Sequence, residues 1–194
     1  MTFQEIKKKL KKKTVGIAGA GGLGSNCAVA LARVGIGKII IADFDKVSRD
    51  NLNRQYYFND QIGQKKVYAL ADSLYFINMN TKIVPVNKKL NPKNIASIFS
   101  ECDVIVEAFD LAEMKSMLIE TVQTELPDKP VVAGLGMAGW GDTNSLTVRQ
   151  VDNLYICGDG RTEISEETPP IAPRVGIVAN MQANVVLELL LGSN

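Results

Sequence analysis

Short apolar runs alternate with longer amphipathic segments through the first two thirds of the chain. The apolar runs predict strands over residues 15–18, 38–42, 81–87, 102–108 and 131–135. The run over residues 102–108 is nearly continuous, which is typical of a parallel strand covered on both faces. Strands that alternate with helices in this way predict an α/β fold, a doubly wound and mostly parallel sheet of the Rossmann-like type.

Amphipathic segments between the apolar runs predict the helices. They cover residues 25–34, about 62–77, 91–100 and 111–126. Asn91 followed by Pro92 is a typical helix start, since asparagine caps the first turn and proline fits its first position. A short basic helix is also predicted within residues 1–13, where apolar residues recur at helical spacing among lysines.

The pattern changes after Gly134. Residues 145–150 alternate like an added strand, for which antiparallel pairing is one option, and residues 155–157 predict a further short strand. The polar stretch over residues 158–172 has no periodicity and predicts a mobile loop that crosses the molecule. An apolar helix is predicted over about residues 174–192.

Composition is that of an ordinary globular protein. The 194 residues are 46% hydrophobic and 22% charged, with a net charge of +1, which predicts one domain over residues 1–194. The near-neutral charge gives no support for binding a nucleic acid or a membrane surface. Residues 185–191 form a short apolar run that contains Glu188, so no membrane span is expected.

The reactive residue types narrow the chemistry. Cys27, Cys102 and Cys157 are far apart and form no CxxC pair, which favours the reducing cytoplasm and argues against disulfides. The chain contains no histidine, which excludes Ser-His and Cys-His nucleophiles and histidine metal sites. Any reaction must therefore use carboxylates, lysine, arginine, cysteine or a bound metal ion.

A glycine-rich loop at residues 19–25 joins the first strand of the predicted sheet to a helix. Gly19 permits a tight turn, Gly21 lets a phosphate approach the backbone, and Gly24 allows close packing of helix on strand. The free N–H groups of the first helical turn favour an anion. Asp43 ends the second strand, 19 residues after Gly24, where a carboxylate accepts hydrogen bonds from ribose hydroxyls. This order predicts a nucleotide site.

Polar residues after the second strand are predicted to lie beside the glycine loop. Ser48 caps a short helical turn. This turn would carry three side chains to one side, namely Asn51, Arg54 and Gln55. An arginine in this place suits a polyphosphate because its planar fork carries a permanent positive charge.

Two further positions are predicted to face the same crevice. Lys65 or Lys66, in the first turns of the next helix, is a candidate phosphate ligand. A lysine at a helix N-terminus is unfavourable for the helix itself and indicates a ligand that balances its charge. Asp110 follows the strand over residues 102–108 and is expected at the carboxyl edge of the sheet.

These motifs together resemble the ThiF/MoeB group of adenylyltransferases, the bacterial relatives of ubiquitin-activating enzymes. The resemblance extends over roughly residues 10–192, and the Asn-Leu-x-Arg-Gln run is its most specific part. The matching stretches are residues 19–25, 43–55, 63–66, 109–110 and 173–183.

The resemblance implies ATP-dependent adenylylation of the C-terminal glycine of a small ubiquitin-like sulfur-carrier protein, usually by a homodimer. The short chain resembles a compact, ThiF-like variety of thiamine biosynthesis, which implies a ThiS-like carrier. The two CxxC motifs that commonly bind zinc in this family are missing, so no zinc is expected. The segment before Thr14 contains lysines but lacks the arginine that the family contributes across its dimer.

The resemblance also implies a role for each residue of the crevice. Asp43 would bind the ribose, Gly21 and the neighbouring N–H groups would hold phosphate, and Asp110 would hold Mg²⁺. Asp45 would either assist the metal or cap the next turn. The remaining nucleotide-binding positions are Gly19, Gly22, Leu23, Gly24, Asn51, Arg54, Gln55 and Lys66, of which Arg54 and Lys66 would act in catalysis with Asp110.

Other interpretations stay open at this point. The glycine loop also permits an NAD-dependent oxidoreductase, although a nicotinamide has no use for residues 51–55. An ATP-dependent activator of a small molecule or a modified RNA base, and a binding module without turnover, are further alternatives. For Asp110 the alternative to a metal ligand is a plain helix cap, and the metal is favoured because the topology places the residue in the crevice. Cys157 is either a sulfur-handling residue or a packed side chain, and Met137 and Trp140 either line a channel for the carrier's tail or belong to the core.

Overall fold

The computed structural model describes residues 1–192, in which seven strands form one sheet with helices on both faces. The predicted α/β class and the mostly parallel sheet are confirmed. The last two residues of the predicted domain over residues 1–194 lie outside the described range.

Helices and strands follow the predicted order along the chain. Within residues 1–192 the helices are α1 (Phe3–Leu10), α2 (Gly22–Val34), α3 (Lys66–Ile77), α4 (Pro92–Phe99), α5 (Ala112–Glu125) and α6 (Ala172–Leu191). The strands are β1 (Thr14–Ala18), β2 (Lys38–Ala42), β3 (Lys82–Val86), β4 (Val104–Glu107), β5 (Val131–Gly134), β6 (Thr147–Val151) and β7 (Leu154–Gly158).

The strand order across the sheet is β3-β2-β1-β4-β5-β7-β6. From β1 the chain continues to one side for β2 and β3, and then to the other side for β4 and β5. β6 pairs antiparallel with β7, as its alternating pattern allowed. The change of direction between β1 and β4 opens a crevice at their carboxyl ends, where doubly wound sheets bind ligands.

Successive residues of the central strands face opposite sides of the sheet. Ile39 and Ile41 belong to the cluster that packs under α2, α3 and α6, whereas Ile40 belongs to the cluster under α4 and α5. This alternation follows from the period of two in a β-strand. Both faces are covered, which explains why the strands read as continuous apolar runs.

Two helices begin earlier than their hydrophobic pattern predicts. α2 starts at Gly22 rather than Ser25, because Gly21 is its N-cap and the glycines of the loop form its first turn. α6 starts at Ala172 rather than Arg174, with Pro173 in its first turn, where the missing N–H costs nothing. Helical geometry therefore extends into residues whose sequence is typical of a loop.

The length of α6 differs from the expectation that no apolar segment is long enough to span a membrane. Its 20 residues are long and apolar enough to cross a membrane, by length and composition alone. In the structure α6 packs against α2, with Val178, Ala179 and Val186 buried. Gln182 is also buried, and its Nε2 donates hydrogen bonds to the backbone oxygens of Glu107 and Val132. These contacts make α6 a core helix that is tied to the ends of β4 and β5.

Candidate active site

A cavity of about 610 Å³ lies at the carboxyl ends of β1, β2 and β4. It brings together most of the residues that the sequence predicts to bind a nucleotide. The predicted residues that line it are Gly19, Gly21, Gly22, Leu23, Asp43, Asp45, Arg54, Gln55, Lys66 and Asp110. The crevice predicted from strand order is therefore present, and its lining contains both fixed cations and carboxylates.

The glycine loop forms one wall of the cavity. Gly19 has a φ of +100°, which an L side chain rarely adopts, so the turn requires glycine. Gly24 lies beneath the loop, where a Cβ would overlap the carbonyl of Gly19. α2 has no side-chain cap at Gly21, so the first N–H groups of the helix are left for a ligand. Gly24 thus shapes the loop and does not itself line the cavity.

Asp43 is held in place by backbone N–H groups on both of its oxygens. Oδ2 accepts a hydrogen bond of 2.7 Å from Ala20, and Oδ1 accepts one of 2.7 Å from Asp45. These bonds orient the carboxylate at the end of β2, beside the glycine loop. Each oxygen keeps a further lone pair, which suits hydrogen bonds from a ribose.

Two cations face the cavity from different elements. Lys66, in the first turn of α3, is largely buried and its Nζ lies 3.1 Å from Oδ2 of Asp45, whose side chain is half exposed. Arg54 is half-buried, and its Nη1 donates to the backbone oxygen of Asp50 and to Oδ1 of Asn53. Asp45 therefore caps neither of the helices that lie nearby. It forms an ion pair with Lys66 instead.

The side chains of Gln55 and Asn51 lie in different surroundings. Gln55 is 8% exposed and lines the cavity, and its buried Oε1 has no hydrogen-bond partner among the described residues. Asn51 does not line the cavity, and its role in nucleotide binding stays a prediction. Its Oδ1 accepts a hydrogen bond of 3.1 Å from the N–H of Ser48, as part of the capping box of the 3₁₀ turn Arg49–Asn51. The side chain of Asn51 therefore helps to cap the short turn to which it belongs.

Asp110 lies at the carboxyl edge of the sheet, as predicted, and is exposed to the cavity. The N-cap of α5 is Leu111, so the alternative that Asp110 caps this helix is wrong. Its carboxylate forms no hydrogen bond or ion pair with any residue in the described range. Among the cavity's aspartates, Asp43 and Asp45 already have partners, which leaves Asp110 as the carboxylate that is free to bind a ligand.

Behind Asp110, a buried ion pair joins β4 to α5 and β5. The Nζ of Lys115 lies 2.7 Å from Oε2 of Glu107 and 2.9 Å from the backbone oxygen of Gly134. Glu107 is fully buried, and its Oε1 accepts a hydrogen bond of 2.6 Å from the N–H of Phe109. Burial raises the pKa of Glu107, and the charge of Lys115 opposes that shift.

The polar segment over residues 158–172 reaches the cavity, where Ile164 and Pro170 line its mouth. A buried ion pair anchors the segment, since Nη2 of Arg174 lies 2.8 Å from Oδ2 of Asp159. Burial acts to raise the pKa of Asp159, but hydrogen bonds from Thr162, Arg161 and Arg174 together hold it below its ordinary value. The predicted mobility of this segment stays a prediction.

Several lining residues were missed by the sequence analysis. Lys88, Lys89 and Leu90 follow β3, whose carboxyl end lies beside that of β2, so the strand order points to them. Other lining residues that the sequence analysis did not single out are Phe44, Glu113, Met114, Ile164, Pro170 and Val175.

Met137 and Trp140, the two residues proposed to line a channel for the carrier's tail, differ in their exposure. Met137 lines the cavity and is buried, in agreement with both alternatives. Trp140 is 76% exposed and does not line the cavity, so it belongs neither to the core nor to this wall.

The cysteines are packed inside the protein. Cys27, Cys102 and Cys157 are all free and buried. Burial raises the pKa of the Cys157 thiol to about 12. A buried thiol with so little thiolate at neutral pH is a poor nucleophile, so the structure favours packing over sulfur handling at this position.

The described residues contain no group of three or more His, Cys, Asp and Glu side chains arranged for a metal ion. Asp110 and Glu113 both offer an unpaired carboxylate in the cavity, and Asp110 is the one that follows β4 at the carboxyl edge of the sheet. A single carboxylate together with phosphate oxygens is a common way to hold Mg²⁺, so this donor set fits a metal that enters with a nucleotide.

Comparisons with known proteins agree with this geometry. A model of the ThiF family matches residues 2–194. The molybdopterin-synthase adenylyltransferase of Escherichia coli (strain K12) is 30% identical over 188 residues, which cover 94% of this chain and 75% of the relative. The adenylyltransferase and sulfurtransferase MOCS3 of Caenorhabditis briggsae is 30% identical over 94% of this chain and 46% of its own length.

A solved structure shares the fold. The E. coli tRNA N6-threonylcarbamoyladenosine dehydratase TcdA in complex with AMP superposes with a TM-score of 0.88, at 20% identity, over 96% of this chain and 89% of TcdA. The complex of TcdA with ATP has a TM-score of 0.82 at 22% identity, over 95% and 89% of the two chains.

Proposed function

The chain belongs to the ThiF family as an adenylyltransferase of the ThiF/MoeB type, and we propose that it adenylylates the C-terminal glycine of a small ubiquitin-like sulfur-carrier protein, using ATP. One observation carries this proposal. Arg54, Lys66 and Asp110 come from three separate elements and meet in the cavity that the glycine loop borders.

The proposed reaction joins a carboxylate oxygen of the carrier to the α-phosphorus of ATP. The bond between that phosphorus and the bridging oxygen breaks, and pyrophosphate leaves. The carboxylate is already ionised at neutral pH, so no proton has to be removed by a general base. This agrees with a chain that contains no histidine.

Positioning and charge neutralisation then supply the catalysis. The free N–H groups at the start of α2 would bind phosphate oxygens, and Asp43 would fix the ribose. Arg54 and Lys66 would neutralise charge on the triphosphate, with Lys66 exchanging Asp45 for a phosphate oxygen. Gln55 would contact the nucleotide through its amide group.

Asp110 would hold Mg²⁺, because its carboxylate is unpaired and lies in the cavity. When bound, Mg²⁺ neutralises charge on the phosphate oxygens. No zinc is expected, since the CxxC pairs of related enzymes are missing from the sequence.

The carrier, the assembly and the compartment are finer proposals. A ThiS-like carrier and a role in thiamine biosynthesis are proposed on the resemblance to the compact, ThiF-like variety of the family. We further propose a cytoplasmic homodimer with no nucleic-acid or membrane partner, in agreement with three free cysteines and a net charge of +1. Sedimentation equilibrium tests the assembly, and a single species of 21.1 kDa would contradict the dimer. Cell fractionation tests the compartment.

ATP–pyrophosphate exchange, measured with and without a carrier that ends in Gly-Gly, tests the activity. We expect carrier-dependent exchange in the unmodified protein. Asp110→Ala should lower the exchange rate by roughly 100-fold with only a modest loss of ATP affinity, because the carboxylate acts mainly on developing charge. Asp72→Ala is the matched control, since Asp72 is an exposed aspartate on α3 outside the cavity.

The other outcomes separate the alternatives. Exchange at the unmodified rate in Asp110→Ala would remove this residue from the mechanism. Exchange that needs a different acceptor, such as a small molecule or a modified RNA base, would assign another substrate to the same site. ATP binding without exchange under any condition would indicate a binding module.

A further inference from the structure

We infer that Tyr57 is a positioning residue for the glycine loop, and that its hydroxyl turns the backbone N–H of Gly21 toward the phosphates of the nucleotide. This inference rests on the proposed function, because it assigns a cause to the shape of the phosphate-binding loop. It concerns a side chain that lies behind the loop and does not line the cavity.

The contact is buried, and the hydroxyl reaches two backbone oxygens, that of Ala20 and, at a longer 3.5 Å, that of Lys66. Tyr57 is 5% exposed, and its hydroxyl donates to the backbone oxygen of Ala20 at 2.7 Å. The N–H of the same residue, Ala20, donates to Oδ2 of Asp43 at 2.7 Å. The two peptide groups that flank Ala20 are therefore each held by a side chain from outside the loop.

Peptide geometry converts this contact into an orientation. In a trans peptide the C=O and N–H groups point in opposite directions. The Ala20 carbonyl points toward Tyr57, so the N–H of Gly21, in the same peptide, points away from it. No hydrogen bond joins this N–H to a residue of the described range.

Ser25 orients the next peptide group of the loop, which joins Gly21 to Gly22. Its Oγ donates to the backbone oxygen of Gly21 at 2.6 Å, and its own N–H donates to that oxygen at 3.0 Å. The N–H of Gly22 is turned outward as a result. Oγ of Ser25 in turn accepts a hydrogen bond of 2.9 Å from the N–H of Tyr56, which links the loop to residues 54–57.

The hydroxyl of Tyr57 stays a donor across the neutral range. Burial is the main cause that raises the pKa of this phenol, and the charges of Asp43 and Asp45 raise it further. The ring of Tyr57 belongs to the main hydrophobic cluster. Replacing tyrosine by phenylalanine therefore keeps the packing and removes only the hydrogen bonds of the hydroxyl, the short one to Ala20 and the longer one to Lys66.

The test compares Tyr57→Phe with Tyr56→Phe. The hydroxyl of Tyr56 has no hydrogen-bond partner in the described part of the chain, so it is a matched control. Dissociation constants for ATP and for adenosine are measured by competition against a fluorescent ATP analogue. We expect Tyr57→Phe to weaken ATP binding about tenfold, as for the loss of one buried hydrogen bond. Adenosine binding should change by less than about twofold, since adenosine has no phosphate for the loop.

A purely structural role would not change the ratio of the two constants. Equal losses for ATP and adenosine, or no loss at all, would overturn the inference while leaving the proposed function intact. Unmodified protein that binds no ATP would overturn the proposed function, and this inference with it. Ser25→Ala provides a second variant that removes the neighbouring bond, and it should lower the affinity for ATP but not for adenosine.

Discussion

Single glycines define the shape of the candidate site. Gly24 has no space for a side chain, because a Cβ would overlap the carbonyl of Gly19. Gly176 lies in the interior of α6, and nothing lies within 4 Å of the place where its Cβ would be. The two glycines therefore differ in physical role although both are helical.

We predict opposite effects for alanine at these two positions. Gly24→Ala should lower the unfolding free energy and the ATP affinity together, because the loop must move to make room. Gly176→Ala should raise the unfolding free energy by about 0.5–1 kcal/mol, since alanine loses less backbone entropy than glycine in a helix. Urea unfolding and nucleotide titration measure both quantities. A Gly24→Ala variant with unchanged ATP affinity would contradict the role of Gly24.

Side-chain roles were predictable where backbone position determines them. Asp43 and Asp110 each follow a strand, and the carboxyl edge of a parallel sheet is where ligands bind, so sequence order was enough to place them. Asn51 is less well determined by its position, because an asparagine in a turn can bond its own backbone as readily as a ligand, and here its Oδ1 accepts from the N–H of Ser48. The Tyr57 contact gave no sequence signal, since an aromatic residue among apolar ones reads as core.

Among the structural elements, the junction of β4, α5 and β5 depends on buried charge. Glu107 and Lys115 pair at 2.7 Å, with the glutamate fully buried. Lys38 and Glu101 pair at 2.6 Å, but the glutamate is 55% exposed. The two ion pairs have similar distances and differ in the desolvation of the glutamate.

Lys115→Met should therefore cost roughly 3–5 kcal/mol of unfolding free energy, because it leaves a carboxylate buried without its counter-charge. Lys38→Met is the control and should cost less than about 1 kcal/mol, as is usual for an exposed pair. Chemical unfolding at neutral pH measures both. Equal costs in the two variants would show that Glu107 finds another partner or becomes protonated at little expense.

The order of the elements was predictable, but some of their ends were not. β2 was predicted with its observed bounds, because its apolar run starts and stops abruptly. The start of α2 was missed, since glycines in a first helical turn look like loop residues. The pairing of Glu107 with Lys115 depends on the packing of α5 onto the sheet, which no local pattern encodes.

At the scale of the whole molecule, the cavity is built from segments far apart in the chain. Its lining extends from Gly19, after β1, to Val175, in the first turn of α6. A ligand that bridges these segments would bind the folded chain and not the unfolded one. Such a ligand raises the stability of the entire domain.

We predict that ATP with Mg²⁺ at 100 times its dissociation constant stabilises the protein by about 2.7 kcal/mol, or a rise of roughly 5–10 °C in Tm. NAD should cause no comparable rise. Lys66→Met should reduce the ATP effect, and Lys65→Met should not, because Lys65 does not line the cavity and its Nζ donates to the backbone oxygen of Phe44. Differential scanning calorimetry measures all four cases. A rise with NAD but not with ATP would favour an oxidoreductase instead.

The alternation of strands and helices was enough to predict the fold class. It was not enough to predict the strand order at the edge of the sheet that β6 and β7 form. The sequence shows that β6 and β7 are short strands, but it does not show that β7 inserts between β5 and β6. The reversal of the chain at Asp152 and Asn153 accounts for the antiparallel pairing of β6 with β7, whereas the parallel pairing of β7 with β5 is a distant contact that no local pattern encodes.

β6 is the outermost strand of the described sheet on this side, and all five of its residues are exposed. Such a strand offers unpaired backbone groups on which a neighbouring molecule can build a continuous ribbon. Arg149 stands at the centre of β6, between Val148 and Gln150. Stacking two molecules edge to edge would bring like charges together, so we expect Arg149 to disfavour fibrous precipitation in concentrated solutions.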